Sequence, residues 1–257
     1  MTEPGSAEVG SARARQVWTG LAGVPVSFPS SGVEVVVAPR SWLCPAGWSG
    51  VVVLGGAGIS TVPSDDLVEV VRRVLSGLPI EAATDPEHLR AGLPIAETLG
   101  PATLAYLTPA DFRPARGAVS VLAPAAPGPS ASGPSAPGPS ALSHFLGSVD
   151  EEDAGESGLA EITSAAFVVR DGGDVVAAAG YRAWPGTAAH LGVLTAPSHR
   201  GRGLAQIVAS AAADDALRHG LLPQWRARPA ASRRVARALG FRELGAQLSF
   251  RAELTHP

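Results

Sequence analysis

The run Arg200-Gly201-Arg202-Gly203-Leu204-Ala205 separates an apolar stretch, Ala188 to Thr195, from a strongly helical one, Gly203 to Leu217. A strand, a glycine-rich turn and a helix in that order make an anion site. The first turn of a helix leaves N–H groups without partners and carries the positive end of the helix dipole, so a phosphate docked there satisfies both. Gly201 and Gly203 let the backbone approach such a group closely.

The spacing narrows the choice of anion. A mononucleotide P-loop needs a Lys followed by Ser or Thr at the helix start, and this chain has no Lys at all. A dinucleotide fingerprint needs Gly-x-Gly-x-x-Gly and an acidic residue about twenty positions on, and neither is present. The pattern that stands here is Arg-x-x-Gly-x-Ala, preceded by Val193-Leu194-Thr195-Ala196-Pro197. It resembles the acyl-CoA pyrophosphate loop of the GNAT superfamily of N-acetyltransferases. Taken alone, the glycines would equally make a plain strand-to-helix turn, so the order of the flanking segments carries the argument.

Downstream come the strand-like Leu221 to Ala227, a segment helical by composition from Ala231 to Leu239, the pair Gly240-Phe241, and the alternating run Ala246 to Leu254. Upstream, Ala165 to Arg170 and Val175 to Tyr181 flank the turn Asp171-Gly172-Gly173-Asp174 and read as a hairpin. Ala188 to Leu194 is the next strand. This order is similar to that of a GNAT domain from about Ala160 to Leu254. The resemblance implies an α/β (α+β) fold, with a mixed, mostly antiparallel central sheet flanked by helices.

Before this region the chain has β-rich runs at Val33 to Ala38, Val51 to Leu54 and Ala102 to Leu107. Ser64 to Ser76 reads as an amphipathic helix, with Ser64 as N-cap, Asp65 and Asp66 in its first turn, and Leu67, Val70, Val71, Val74 and Leu75 on its buried face. Gly55-Gly56-Ala57-Gly58-Ile59-Ser60 invites a nucleotide-binding reading, but Pro63 stands between it and the helix cap, which fits a loop better. The expected organisation is a disordered N-terminus over 1–15, a small α/β domain over 16–118 for which a degenerate copy of the same fold is one reading, a linker over 123–141, and the GNAT domain over 142–257. The linker reading rests on a composition of Ala, Pro, Gly and Ser, with Ala-Pro-Gly-Pro-Ser occurring twice.

A formal net charge of −3 gives no electrostatic case for nucleic acid or anionic membranes. No apolar run reaches the ~20 residues of a membrane helix, and the N-terminus lacks signal-peptide character, so the expected compartment is the cytoplasm. The single cysteine, Cys44, excludes an internal disulfide and a multi-Cys zinc site, and no metal is expected. As a nucleophile, Cys44 lacks a neighbouring basic group that would lower its pKa.

The resemblance implies transfer of an acetyl or other short acyl group from acyl-CoA to a primary amine, by a monomer or homodimer. Gly201, Arg202, Gly203, Leu204 and Ala205 would hold the pyrophosphate through backbone N–H groups, with Arg200 and Arg202 adding charge. Val193 and Leu194 would offer main-chain groups to the pantetheine arm and polarise the thioester carbonyl. His190 is the candidate base; Glu156 and Asp153 stand in the stretch that lines the acceptor pocket in this family. The family's Tyr general acid, four residues before the Gly of Gly-Phe, is Ala236 here, and the Asn seven residues before it is Pro229; Ser232 lies between them and would contact the CoA arm. That departure leaves two alternatives to an enzyme: a catalytically impaired CoA-binding regulatory module, and a scaffold in which the loop is only a turn.

Overall fold

The computed structural model of the protein describes residues 6–123, 141–184 and 187–253. Its helices are α1 Ser6–Ala22, α2 Asp65–Ser76, α3 Pro86–Arg90, α4 Ala141–Gly147, α5 Glu151–Ser157, α6 Leu204–Arg218 and α7 Ala230–Ala238. Its strands are β1 Gly32–Val37, β2 Ser49–Leu54, β3 Ala57–Val62, β4 Ile95–Tyr106, β5 Ser120–Leu122, β6 Ala166–Asp171, β7 Asp174–Trp184, β8 Ala188–Thr195, β9 Leu222–Ala227 and β10 Arg242–Ala252. They form two units. One takes the chain up to Tyr106 with Trp225–Arg233 and the stretch from Arg242 onward; the other takes Leu107–Gln224 and Arg234–Phe241.

In the first unit β2 and β3 form a hairpin that pairs Leu54 with Ala57 across Gly55 and Gly56. Both glycines have positive φ, 58° and 82°, as a two-residue hairpin turn of this twist demands. The expected loop over Gly55 to Ser60 is therefore a turn followed by a strand. Its run of small and β-branched residues is buried on both faces, which removes the polar alternation that would have marked it. β1 pairs in parallel with β3, and β10 runs antiparallel to both β2 and β4. Leu67, Val71 and Leu75 of α2 pack on Val35, Val51, Val62, Leu248 and Phe250; each such side chain contributes about 1.5–3 kcal/mol on burial. Ser64 holds the extended N-cap backbone, but its side chain makes no cap hydrogen bond.

The N-terminal expectation needs correction. Residues 6–15, read as disordered, lie in α1, because Ala14, Val17, Trp18, Leu21 and Ala22 fall on one helical face and are buried. Trp18 Nε1 donates to the Tyr106 hydroxyl at 2.6 Å, and Arg15 donates to the Leu54 carbonyl at 2.9 Å. These tertiary partners stabilise a segment whose Gly, Ser, Thr and Val content weakens its intrinsic helical signal. The Pro-rich linker reading falls on 124–140, outside the described residues.

The second unit carries a mixed, mostly antiparallel sheet, and the strand expected at Ala246 to Leu254 lies in the first unit. β5, β6, β7 and β8 are antiparallel neighbours, and β9 joins β8 in parallel through the β8-α6-β9 crossover. Val208, Ala209, Ala212, Ala213 and Ala216 of α6 are buried, and their small side chains let the helix approach the equally small Ala177 and Ala179 of β7. On another face of the sheet Phe145, Leu159, Ala166, Val168, Ala178 and Leu194 form a second core under α4. Among the described residues no helix is long and apolar enough to cross a membrane.

Candidate functional site

β8 delivers the chain to a single 3-10 turn at Pro197–His199 and then to the glycine loop at the start of α6. Gly201 and Gly203 adopt φ of 77° and 79°, a region that side-chain-bearing residues avoid. A Cβ at either would meet nothing within 4 Å, so the backbone there stands open. Gly203 occupies the N-cap, and its carbonyl accepts from Gln206 and Ile207 at 3.1 and 3.2 Å. The amides of Leu204 and Ala205, at the first two helical positions, have no carbonyl a turn back to bond. With the helix dipole behind them, they favour an anion.

The flanking cations are paired with exposed carboxylates. Arg200 bonds Asp153 of α5 and donates Nε–H to the Thr195 carbonyl at 3.3 Å. Arg202 lies 3.8 Å from Asp171, and His199 Nε2 lies 3.3 Å from the same carboxylate. Such pairs contribute little net stability, so a phosphate can replace a carboxylate at modest cost. Thr195 Oγ1 is buried with no hydrogen-bond partner among the described residues.

β8 pairs with β7 along its whole length, from Ala177↔Thr195 to Trp184↔Ala188. With β9 it pairs at Ala188↔Leu222, Ala189↔Pro223 and His190↔Gln224. Gln224 is the last β9 residue of the second unit, so His190↔Gln224 closes the pairing within that unit. His190 sits on this last rung. Its Nδ1 lies 2.7 Å from Gln224 Oε1, and its ring stacks on Trp184, with centroids 4.4 Å apart and planes 18° apart.

Two residues on, Gly192 faces Gly180 across the ladder. A Cβ at Gly192 would stand 2.6 Å from the Ser157 carbonyl oxygen, and one at Gly180 would stand 2.6 Å from Ile162 Cδ1. The absent side chains make a channel for the segment that follows α5. Glu156, exposed near the end of α5, is thereby carried to the β8 face that also bears His190, since alternate strand residues share a face. Val193 is half-buried and Leu194 packs in the core under α4.

The residue in the general-acid position, Ala236, is buried in α7. The chain has two tyrosines. Tyr181 donates its hydroxyl to Asp215 at 2.9 Å, and burial, reinforced by that carboxylate, pushes its pKa up to about 12. Tyr106 accepts from Trp18 within the first unit. Ser232 also belongs to that unit, where it accepts from Trp225 Nε1 at 2.9 Å. Cys44 bonds the Trp48 carbonyl at 3.2 Å, and burial pushes its pKa up to about 11, which suits a structural thiol.

Sequence reasoning placed Gly192 on the strand beside the pantetheine arm but missed Gln224 and Trp184. The one available signal was a polar Gln within the otherwise apolar run Leu221 to Trp225.

The sheet and the open loop define an α/β domain with an exposed glycine turn at a helix start. Residues 161–246 match the family model described as GNAT acetyltransferase. Among solved structures, a GCN5-related N-acetyltransferase from Kribbella flavida shares 16% identity, over 96% of this chain and 96% of its own, with a TM-score of 0.50. A GNAT-family protein from Novosphingobium aromaticivorans shares 18% over 61% of this chain (TM-score 0.45), and an acetyltransferase from the GNAT family of Colwellia psychrerythraea shares 15% over 62% (TM-score 0.44). The chain spans 65% and 59% of the lengths of these last two. At such identities the likeness is one of fold. No curated protein matches the chain.

Proposed function

We propose that the protein transfers a short acyl group, acetyl foremost, from acyl-CoA to a primary amine by direct attack in a ternary complex. The observation that carries this reading is the open glycine loop that joins β8 to the start of α6, with Gly203 as its N-cap. Backbone amides from Gly201 to Ala205 would hold the pyrophosphate, with Arg200 and Arg202 exchanging Asp153 and Asp171 for phosphate oxygens. Main-chain groups of Val193 and Leu194 would align the pantetheine arm, and a β8 amide would stabilise negative charge on the acyl oxygen.

When bound, acyl-CoA supplies an activated acyl carbon: the C–N bond to the amine forms, the C–S bond breaks, and the sulfur leaves as thiolate. His190 takes the proton that the amine nitrogen sheds, and Glu156 is the alternative acceptor. No tyrosine is assigned to protonate the sulfur, because Tyr181 is engaged by Asp215 and a thiolate is a stable leaving group.

The same engagement of Tyr181 favours a second reading, a CoA-binding regulatory module that has lost turnover. Calorimetric titration with acetyl-CoA and free CoA, followed by thiol release across a panel of amines, separates the two. Binding with turnover supports the enzyme, binding without turnover supports the module, and a folded protein that binds neither ligand refutes both.

A further inference from the structure

We propose that Gln224 is a positioning residue for His190, holding the imidazole in the tautomer whose Nε2 lone pair can receive the amine proton. The inference rests on the reading of His190 as the base. Sheet register creates the pair. His190 and Gln224 are 34 residues apart, yet they are direct partners on the last rung of the β8–β9 ladder, which sets their side chains next to each other. Gln224 is fully buried, and its Oε1 lies 2.7 Å from Nδ1. Trp184, stacked on the imidazole, fixes the ring plane so that this edge stays turned to Gln224.

An amide oxygen only accepts, so the proton of a neutral imidazole bonded to it resides on Nδ1 and the lone pair on Nε2. When Nε2 takes up a proton, the Nδ1–H···Oε1 bond becomes charge-assisted and strengthens, which favours the protonated product of base catalysis. The reversed amide would donate to Nδ1, move the proton to Nε2 and abolish base function. With Oε1 on Nδ1, Gln224 Nε2 has no hydrogen-bond partner among the described residues, and His190 is the side chain that the amide meets. An amide also carries no charge, so it fixes the tautomer without adding a second group that titrates near neutral pH.

Long-range 15N–1H correlation spectra of the full chain labelled at histidine report which ring nitrogen carries the proton, and the wild-type protein suffices for the first test. The expected result is Nδ1–H at His190. Gln224→Leu is expected to shift the population to Nε2–H and to lower kcat about 10- to 100-fold, with the dissociation constant for acetyl-CoA unchanged. Gln224→Glu, whose carboxylate also only accepts, is expected to restore both the tautomer and most of kcat. Nε2–H in the wild type overturns the proposal, and so does an unchanged tautomer in Gln224→Leu. A shifted tautomer with unchanged kcat supports the pairing and overturns the reading of His190 as base; loss of acetyl-CoA binding by the wild type overturns the function itself.

Discussion

His190 Nδ1 lies 2.7 Å from Gln224 Oε1, its direct partner across the second unit's β8–β9 pairing. The one ionisable side chain of β8 is thus held on the last rung of its pairing with β9 in this unit. His190→Ala should lower kcat/KM about 10²- to 10⁴-fold, the range spanned by a positioned acid or base, and leave the calorimetric affinity for acetyl-CoA intact. A proportional loss of cofactor affinity would assign His190 to binding instead.

Gly203 combines a φ of 79° with open space where a side chain would stand. Gly203→Ala should cost about 1–2 kcal/mol of stability through backbone strain alone, seen as a lower unfolding midpoint. Gly203→Glu adds bulk and negative charge at the phosphate site and should abolish acetyl-CoA binding in a protein that still folds. Unchanged affinity in that variant would sink the loop assignment.

Gly192 presents the opposite case, an ordinary strand backbone with no room. With the Ser157 carbonyl 2.6 Å from a Cβ, Gly192→Ala must push the post-α5 segment off β8, at a cost of about 1–3 kcal/mol. Denaturant unfolding measures the loss, and hydrogen exchange at 157–165 should rise with it. Full stability in Gly192→Ala would contradict the packing described for this channel.

The Tyr181 hydroxyl, bonded to Asp215, has its pKa raised from 10.0 to about 12 by burial and that carboxylate. A pKa higher in the folded state means that the folded protein holds the proton more tightly than the unfolded chain does. This contribution is complete below the ordinary value and is lost as pH rises from about 10 to about 12. Tyr181→Phe should flatten that part of the stability profile and leave turnover at neutral pH intact. A collapse of kcat in Tyr181→Phe would instead make this hydroxyl part of the chemistry.

Burial pushes the Cys44 thiol up to about 11, so it is protonated at neutral pH. Alkylation by iodoacetamide at pH 8 should be slow in the folded protein and fast in denaturant. Rapid labelling without unfolding would show a reactive thiol.

Local features of the chain were legible without the structure. The 3.6-residue spacing of Leu67, Val71 and Leu75, the Asp/Gly turn before β7, and Gly201 and Gly203 between an apolar run and a helix each express preferences of a few adjacent residues, so reading them needs no partner. α1 escaped because its stability comes from Trp18 meeting Tyr106 and Arg15 meeting Leu54, not from its own composition. The strand read at Ala246 to Leu254 begins at Arg242, and its neighbours are β2 and β4, a pairing that no local pattern specifies. Likewise, sequence named His190 and Glu156 but not what aims them. The Gln224 amide, the Trp184 ring and the passage of Ser157 over Gly192 arise from sheet register and close packing between residues far apart along the chain. Local propensity determined which elements this protein has and where its glycine loop stands; register and packing decided which side chains meet on the last rung of the β8–β9 pairing.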